Sequence, residues 1–382
     1  MPSTSRPSTS RPSTSRPSIS RMRLSLASVS LLALLTAACS QTSTTNASSA
    51  ASDSNATAAA ATGAKPAPFS TGTVKVALVR QSGAGDFFEQ WGSGAKAQAK
   101  ALGIDLTVYD AQADNATEAT DLSTAISSGV SAIIVDHGFA ATVDPLINQA
   151  VAKGIAVVTF DVDSGNAKVV STEQSDADLA QDVLDVAKQQ LGSGAKVGYV
   201  NVAGYPALDA RDAVWQKVRA AEGWSQEFKV GEVTDSTATD NVPLVGAALL
   251  QHSDVSAVFA PYDELAKATV VAVQNDKLVG KVKVFGIDLS NADIQILTEA
   301  NSPWVATAGT DPSSVGAAVV RTTALQLAGQ LGKTKVEFPG VAITRDFLLS
   351  KKITNMDQLR AAVPALNLGD ISTANWIPVV SH

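Results

Sequence analysis

From position 73 onward the sequence alternates short runs of β-branched and apolar residues with longer stretches of helical periodicity. Several of the short runs are continuously apolar, which is typical of strands buried on both faces of a parallel sheet. Strands that alternate with helices imply right-handed crossovers and sheets covered by helices, and therefore an α/β fold. The predicted strands are 74–79, 104–109, 132–135, 155–160, 197–202, 257–260 and 282–287.

The first predicted helix shows the pattern clearly. Phe87, Trp91, Ala95 and Ala99 recur at four-residue spacing, so they share one face that a core must cover. Gly103 then ends the helix. A chain of 382 residues is too long for one average domain, and two domains of roughly 150 residues are expected.

The N-terminal region has the composition of an export signal preceded by a repeat. Positions 2–21 are four copies of a five-residue unit with no apolar face, and Met22 is a candidate start. Arg23, an apolar run over 24–35 and small residues before Cys39 follow the layout of a secretory signal. Residues 40–70 are rich in Ser, Thr, Ala and Asn and predict a flexible tether.

The segment LTAAC, positions 35–39, resembles the lipobox of bacterial lipoproteins, although Thr36 stands where leucine is usual. The resemblance implies that cleavage leaves Cys39 as a lipid-modified first residue. An ordinary signal peptide with a chance cysteine is the alternative. We therefore expect an exported protein, held at the cell envelope only through its lipid.

Charge, cysteine content and the absence of known motifs argue against several classes of function. The formal net charge is −7, and without residues 1–38 it becomes −12, because five arginines and no acids are lost. So acidic a surface repels phosphate backbones, which argues against nucleic-acid binding. One cysteine permits no internal disulfide. We find no phosphate-binding loop, no metal-ligand cluster and no nucleophile signature, and expect neither a cofactor nor an enzyme.

Ligands of open parallel sheets bind at the carboxyl ends of the strands, so the polar residues there are the candidates for function. They fall in the ranges 81–88, 136–137, 161–163, 205–211, 262–264, 288 and 310–311.

An ordered set of segments resembles the periplasmic sugar-binding proteins of ABC transporters, in the ribose-binding-protein-like group: VALVRQSGAGDFF, AVVTFDVD, KVVSTEQSD, AGYPALDAR, VFAPYDELA, VFGID and VATAGTDP. The resemblance implies the type I fold, with two doubly wound parallel-sheet lobes joined by three hinge crossovers near Ser175, Thr310 and Val341. The expected N-terminal lobe is 71–175 with 310–340. The expected C-terminal lobe is 176–309 with 341–382, including the tail.

The same resemblance implies a binding site between the lobes. It places Phe87 and Phe88 against the flat faces of a sugar ring, and makes Asp161 and Asp288 acceptors for sugar hydroxyls. Each has a structural alternative, since the phenylalanines could complete the helix core and the aspartates could cap helices.

Departures from the ribose-binding pattern concern its polar residues. Val162 and Asp209 stand where ribose binders have arginines, with Arg211 two residues on; Tyr262 replaces an asparagine and Thr310 a hinge glutamine. The pocket is thus expected to be richer in acceptors, suited to a polyol, a deoxy-sugar or a ligand with an amine. His137 either contacts ligand or serves as a loop hydrogen-bond partner.

The sequence thus predicts a monomeric substrate-binding lipoprotein that captures a small sugar or polyol by hinge closure and delivers it to an ABC transporter permease. Two alternatives stay open. The closed form could instead be presented to a chemoreceptor or sensor kinase, or the ligand could be another polar small molecule.

Overall fold

The computed structural model describes residues 57–381. Two six-stranded sheets, each covered by helices, form two lobes. Strands and helices are numbered in chain order. The N-terminal lobe contains the strands β2 Val74–Arg80, β3 Ile104–Asp110, β4 Ala132–Asp136, β5 Ala156–Phe160, β6 Val170–Gln174 and β12 Lys335–Phe338, and the helices α1 Asp86–Leu102, α2 Asn115–Ser127, α3 Ala140–Ala152 and α9 Pro312–Leu327.

The C-terminal lobe repeats the arrangement. It contains the strands β7 Lys196–Val200, β8 Ser225–Val230, β9 Ala257–Ala260, β10 Lys283–Ile287, β11 Trp304–Gly309 and β13 Val341–Thr344, and the helices α4 Asp176–Leu191, α5 Pro206–Ala221, α6 Thr237–Gln251, α7 Asp263–Asn275, α8 Asn291–Thr298, α10 Arg345–Lys351 and α11 Met356–Ala362, followed by a 3-10 turn, Pro364–Leu366. A small sheet pairs β1 Thr57–Ala58 with β14 Val380–Ser381.

Strand order gives each lobe its doubly wound form. The N-terminal sheet runs β12-β6-β5-β4-β2-β3, and the C-terminal sheet runs β13-β11-β10-β9-β7-β8. Within these two sheets all pairings are parallel except that of β13, which lies antiparallel to β11 at the sheet edge. The carboxyl ends of the strands in each sheet therefore lie at one edge, as the α/β prediction requires.

Three crossings join the two six-stranded sheets, apart from the later return of the C-terminal tail. The chain leaves the N-terminal sheet after β6, returns to that lobe between β11 and α9, and crosses again between β12 and β13. Three crossings are thus present, which confirms the type I architecture.

Helices α1 and α9 pack backbone to backbone on the N-terminal lobe. A Cβ at Gly94 would lie 2.0 Å from the Ser313 carbonyl oxygen, and one at Gly316 would lie 2.1 Å from the Trp91 carbonyl oxygen. Only glycine permits this approach. The apolar face of α1 is buried as its spacing predicted, and Gly103, with φ 78°, ends the helix in the left-handed conformation.

The C-terminal tail packs on a different lobe from the one expected. Residues after 341 were assigned to the C-terminal lobe, but Leu368, Trp376 and Ile377 are buried in the N-terminal lobe's core. The end of the predicted tether is also packed, because the Phe69 ring lies 5.1 Å from that of Trp376. Apolar burial explains both corrections, since the tail and the end of the tether cover the same surface of the lobe.

Candidate functional site

A cleft of about 590 Å³, a volume that includes its open mouth, lies between the two lobes. Residues that follow strands of both sheets line it, as expected for parallel α/β sheets. The N-terminal lobe contributes Gln81, Ser82, Phe87, Phe88, His137 and Gln174; the C-terminal lobe contributes Tyr205, Ala207, Leu208, Arg211, Val233, Thr234, Tyr262 and Asp288.

Phe87, Phe88, His137 and Tyr262 form an aromatic wall across the cleft. The Phe88 ring lies edge-on to its neighbours, with centroids 5.5 Å from Phe87, 4.9 Å from His137 and 6.3 Å from Tyr262. Tyr262 comes from the opposite lobe. The wall offers a rigid surface to the C–H groups of a small ligand.

Arg80 fixes two residues of this wall, Phe88 directly and His137 through Asp136. Its Nε donates to Asp136 Oδ2 at 2.7 Å and its Nη2 donates to the Phe88 carbonyl oxygen at 2.9 Å. Burial alone would raise the pKa of Asp136, but Arg80 and His137 outweigh it, and the pKa lies below its ordinary value. An ionised Asp136 in turn accepts from His137 Nδ1 at 2.8 Å and orients that ring.

Arg211 and Asp288 form a buried ion pair in the C-terminal lobe. Nη1 and Nη2 of Arg211 each donate to one Asp288 oxygen at 3.2 Å, and Nε donates to Asp176 Oδ1 at 2.8 Å. Nη1 also donates to the Pro261 carbonyl oxygen at 2.6 Å. Burial opposes the charge on Arg211, yet the two carboxylates outweigh it and its pKa is raised. The predicted acceptor Asp288 thus reaches the cleft already paired with a cation.

Asp161 is buried but lies beside the cleft rather than in its lining. It lines an adjoining groove, its Oδ1 accepts from the Gln174 backbone N–H at 3.2 Å, and its Oδ2 lies 3.5 Å from His137 Nε2. Burial and, next, the Asp176 carboxylate raise the pKa of Asp161 well above its ordinary value. Asp161 therefore borders the cleft through His137, which lines it, and its role as an acceptor for sugar hydroxyls stays a prediction.

Three of these residues adopt left-handed backbone conformations. His137, Asp161 and Asp288 directly follow β4, β5 and β10 with φ of 64°, 52° and 83°. Such conformations cost energy in residues other than glycine and persist where surrounding structure holds them, commonly at functional sites. These turns place His137 and Asp288 in the cleft lining and Asp161 in the adjoining groove.

Two residues predicted to contact the ligand lie outside the cleft lining. Thr310 is fully buried in the hinge. Its hydroxyl donates to Gln174 Oε1 at 2.7 Å and so orients the Gln174 side chain. Asp209 is exposed and accepts hydrogen bonds from the Gly204 backbone N–H at 3.0 and 3.2 Å. The Asp209 side chain thus closes the turn before α5 at an exposed position.

The sequence-based analysis missed Gln174, Val233 and Thr234. Gln174 is the last residue of β6, directly before a predicted crossover, and that position was a usable signal. Val233 and Thr234 follow β8, which was not predicted as a strand because SQEFKV has no continuous apolar run.

The lipid attachment predicted at Cys39, like the signal sequence, lies outside the described residues. Among residues 57–381, no helix combines the length and the apolar character that crossing a bilayer requires.

Comparison with known proteins places this architecture in a family. The family model of the periplasmic binding protein domain matches residues 76–331. The ribose import binding protein RbsB of Escherichia coli is 26% identical over 69% of this chain and 88% of its own length. RbsB of Bacillus subtilis is 27% identical over 53% of this chain, and the match spans 65% of that protein.

Solved structures of similar proteins have the same fold. A 5-methylthioribose transporter solute-binding protein from Thermotoga lettingae, in complex with 5-methylthioribose, is 37% identical, with a TM-score of 0.79 over 82% of this chain and 98% of that one. A sugar ABC transporter protein from Yersinia enterocolitica is 27% identical, with a TM-score of 0.77 over 80% of this chain and 94% of that one. The family is one of solute-binding proteins rather than enzymes. This chain belongs to the periplasmic binding protein family, in the type I group of sugar-binding proteins of ABC transporters.

Proposed function

We propose that this chain is an exported, Cys39-anchored lipoprotein that captures a small sugar bearing an apolar substituent and delivers it to an ABC importer. The proposal rests on one observation: one side of the cleft is polar and the other is apolar. Arg211, Asp288 and Gln174 supply polar groups, while Leu208 and Val233 supply apolar ones.

The polar side suits hydroxyl donors. Both Asp288 oxygens accept from Arg211, but a carboxylate oxygen has a second lone pair that a sugar hydroxyl can use. Most of the Arg211 N–H groups are already engaged within the protein, so few donors remain for a ligand carboxylate or phosphate. A neutral, hydroxylated ligand therefore fits this end better than an anion.

The apolar side suits a substituent without hydrogen-bonding capacity. Leu208 is only 6% exposed and, with Ala207 and Val233, offers methyl groups to the ligand. A thioether gains from such contacts and from nearby aromatic rings, whereas a hydroxyl would lose its water partners there. The Thermotoga lettingae protein that binds 5-methylthioribose supports this ligand as the first to test.

The hinge explains how capture would be signalled. Gln174 lines the cleft and bonds to Thr310, so two of the three crossings meet beside the ligand. A ligand that contacts both lobes favours the closed arrangement, which the permease would recognise.

A thermal-shift panel tests the proposal. The chain without its signal segment is expected to gain stability with 5-methylthioribose and less with ribose, allose or polyols at equal concentration. A response to none of these, or a stronger response to amino acids, would remove the assignment to sugars.

Replacing Leu208 by asparagine tests the apolar end. We expect about a ten-fold loss of affinity for 5-methylthioribose and less than about a three-fold loss for ribose, because only the former places an apolar group there. Titration calorimetry with both ligands measures the ratio. The control is Leu250→Asn, at a leucine that is 69% exposed on α6. Equal losses for both sugars would contradict the predicted contact.

A further inference from the structure

A second charged cluster lies at the rim of the cleft, around the buried Lys267 on α7. Its Nζ donates to Glu264 Oε1 at 2.7 Å, to Asp263 Oδ2 at 3.1 Å and to Asp86 Oδ2, and it lies 3.3 Å from Asp293 Oδ1. The Lys267 side chain is 9% exposed, and those of Asp263 and Asp293 are fully buried. One ammonium thus faces four carboxyl groups.

The members of this cluster come from both lobes. Asp86 is the first residue of α1 in the N-terminal lobe, whereas the others belong to α7 and α8 in the C-terminal lobe. A second contact crosses beside it, from the Asp86 backbone N–H to Glu264 Oε1 at 3.3 Å. A Cβ at Gly85, where φ is 94°, would lie 3.2 Å from the Glu264 side chain, so the lobes meet closely here.

The cluster also has the spacing of a cation site. Carboxylate oxygens of Asp86, Asp263 and Glu264 lie within 4.8 Å of one another, close enough to repel strongly without a cation. Lys267 Nζ contacts all three, so the chain's own ammonium supplies that charge. If the lobes separate, Asp86 leaves the cluster and exchanges its buried partner for water.

The position of the cluster connects it to the binding site. Phe87 and Phe88 directly follow Asp86, and Tyr262 directly precedes Asp263. The wall residues of each lobe are therefore sequence neighbours of that lobe's part of the Lys267 cluster. Lys267 and Asp86 are not among the residues that line the cleft, so any effect they have on a ligand must pass through neighbouring residues.

We propose that Lys267 is a positioning residue, whose ion pair with Asp86 latches the two lobes together and holds Phe87 and Phe88 opposite Tyr262. The pair stabilises the closed form against the open one and slows ligand release. The contact between the lobes does not depend on which sugar the cleft accepts. The effect of the latch on ligand release rests on the proposed function.

The test replaces Asp86 by asparagine, since its side chain is 37% exposed and its loss strands no deeply buried group. In the full chain without its signal segment, we expect about a five-fold faster dissociation of 5-methylthioribose in stopped-flow fluorescence. We also expect small-angle X-ray scattering of the ligand-free Asp86→Asn variant to show a larger radius of gyration than the wild type. Asp86→Glu keeps the charge and is expected to restore both values.

The matched control is Asp254→Asn, which removes the partner of Lys196 within the C-terminal lobe. It is expected to change neither measurement. Scattering by Asp86→Asn identical to that of wild type and of Asp254→Asn would overturn the latch. Because this readout needs no ligand, it decides the proposal even if no sugar in the panel binds.

Discussion

Replacing Arg211 by methionine is expected to lower the free energy of unfolding by about 3 kcal/mol, and the affinity for 5-methylthioribose by more than about 100-fold. Arg211 is 2% exposed, and its guanidinium pairs with both Asp288 and Asp176. Methionine fills the volume but leaves two buried carboxylates without a cation, and breaking a buried pair from one side is costly. Urea unfolding followed by tryptophan fluorescence and titration calorimetry measure the two effects.

Two further variants separate the causes. Arg211→Met with Asp288→Asn removes one stranded charge, so part of the stability is expected to return while the affinity stays low. Arg219→Met, on the same helix, removes a guanidinium that bonds to Gln216 and is expected to cost little. If Arg211→Met unfolded at the same urea concentration as Arg219→Met, the structural importance of the ion pair would be refuted.

Replacing Glu118 by glutamine is expected to stabilise the protein by roughly 4 kcal/mol at pH 8.5 and to have almost no effect below about pH 4. Glu118 lies on α2 and is fully buried, and neither of its carboxyl oxygens has a hydrogen-bond partner among residues 57–381. Burial, followed by the charge of Asp136, raises the pKa of Glu118 to about 8.

The sign follows from proton binding. Below about pH 4 Glu118 is mostly protonated in both the folded and the unfolded chain, so it has little effect on stability. As the pH rises toward 8, the unfolded chain releases this proton while the folded chain retains it. The free energy of unfolding therefore falls through this window, by at most about 1.4 kcal/mol per pH unit. Glutamine does not titrate and removes the fall.

Urea unfolding of wild type and Glu118→Gln across this pH range provides the measurement. The control is Glu89→Gln, at an exposed glutamate on α1, which is expected to track the wild type at every pH. A constant difference between Glu118→Gln and wild type would show that Glu118 is ionised in the folded protein.

The binding cleft shows where sequence-based prediction works for this protein and where it stops. Phe87, Phe88, His137, Arg211, Tyr262 and Asp288 line the cleft, and all follow strands that the apolar runs identified. Asp209 and Thr310 were expected there for the same reason, but the structure leaves one exposed and buries the other in the hinge. A position after a strand brings a residue to the correct edge of the sheet. It does not determine the direction of the side chain.

The sequence by itself determined the α/β class, seven of the twelve strands of the two sheets and the edge at which the polar residues gather. Those properties follow from hydrophobic periodicity and from the geometry of parallel sheets, which are local or general. Only the tertiary structure decided that Arg211 pairs with Asp288, that Lys267 meets Asp86 across the lobes, and that the tail and Phe69 return to the N-terminal lobe. These contacts join residues far apart in the sequence, and their partners depend on how the folded lobes bring charged and apolar surfaces together.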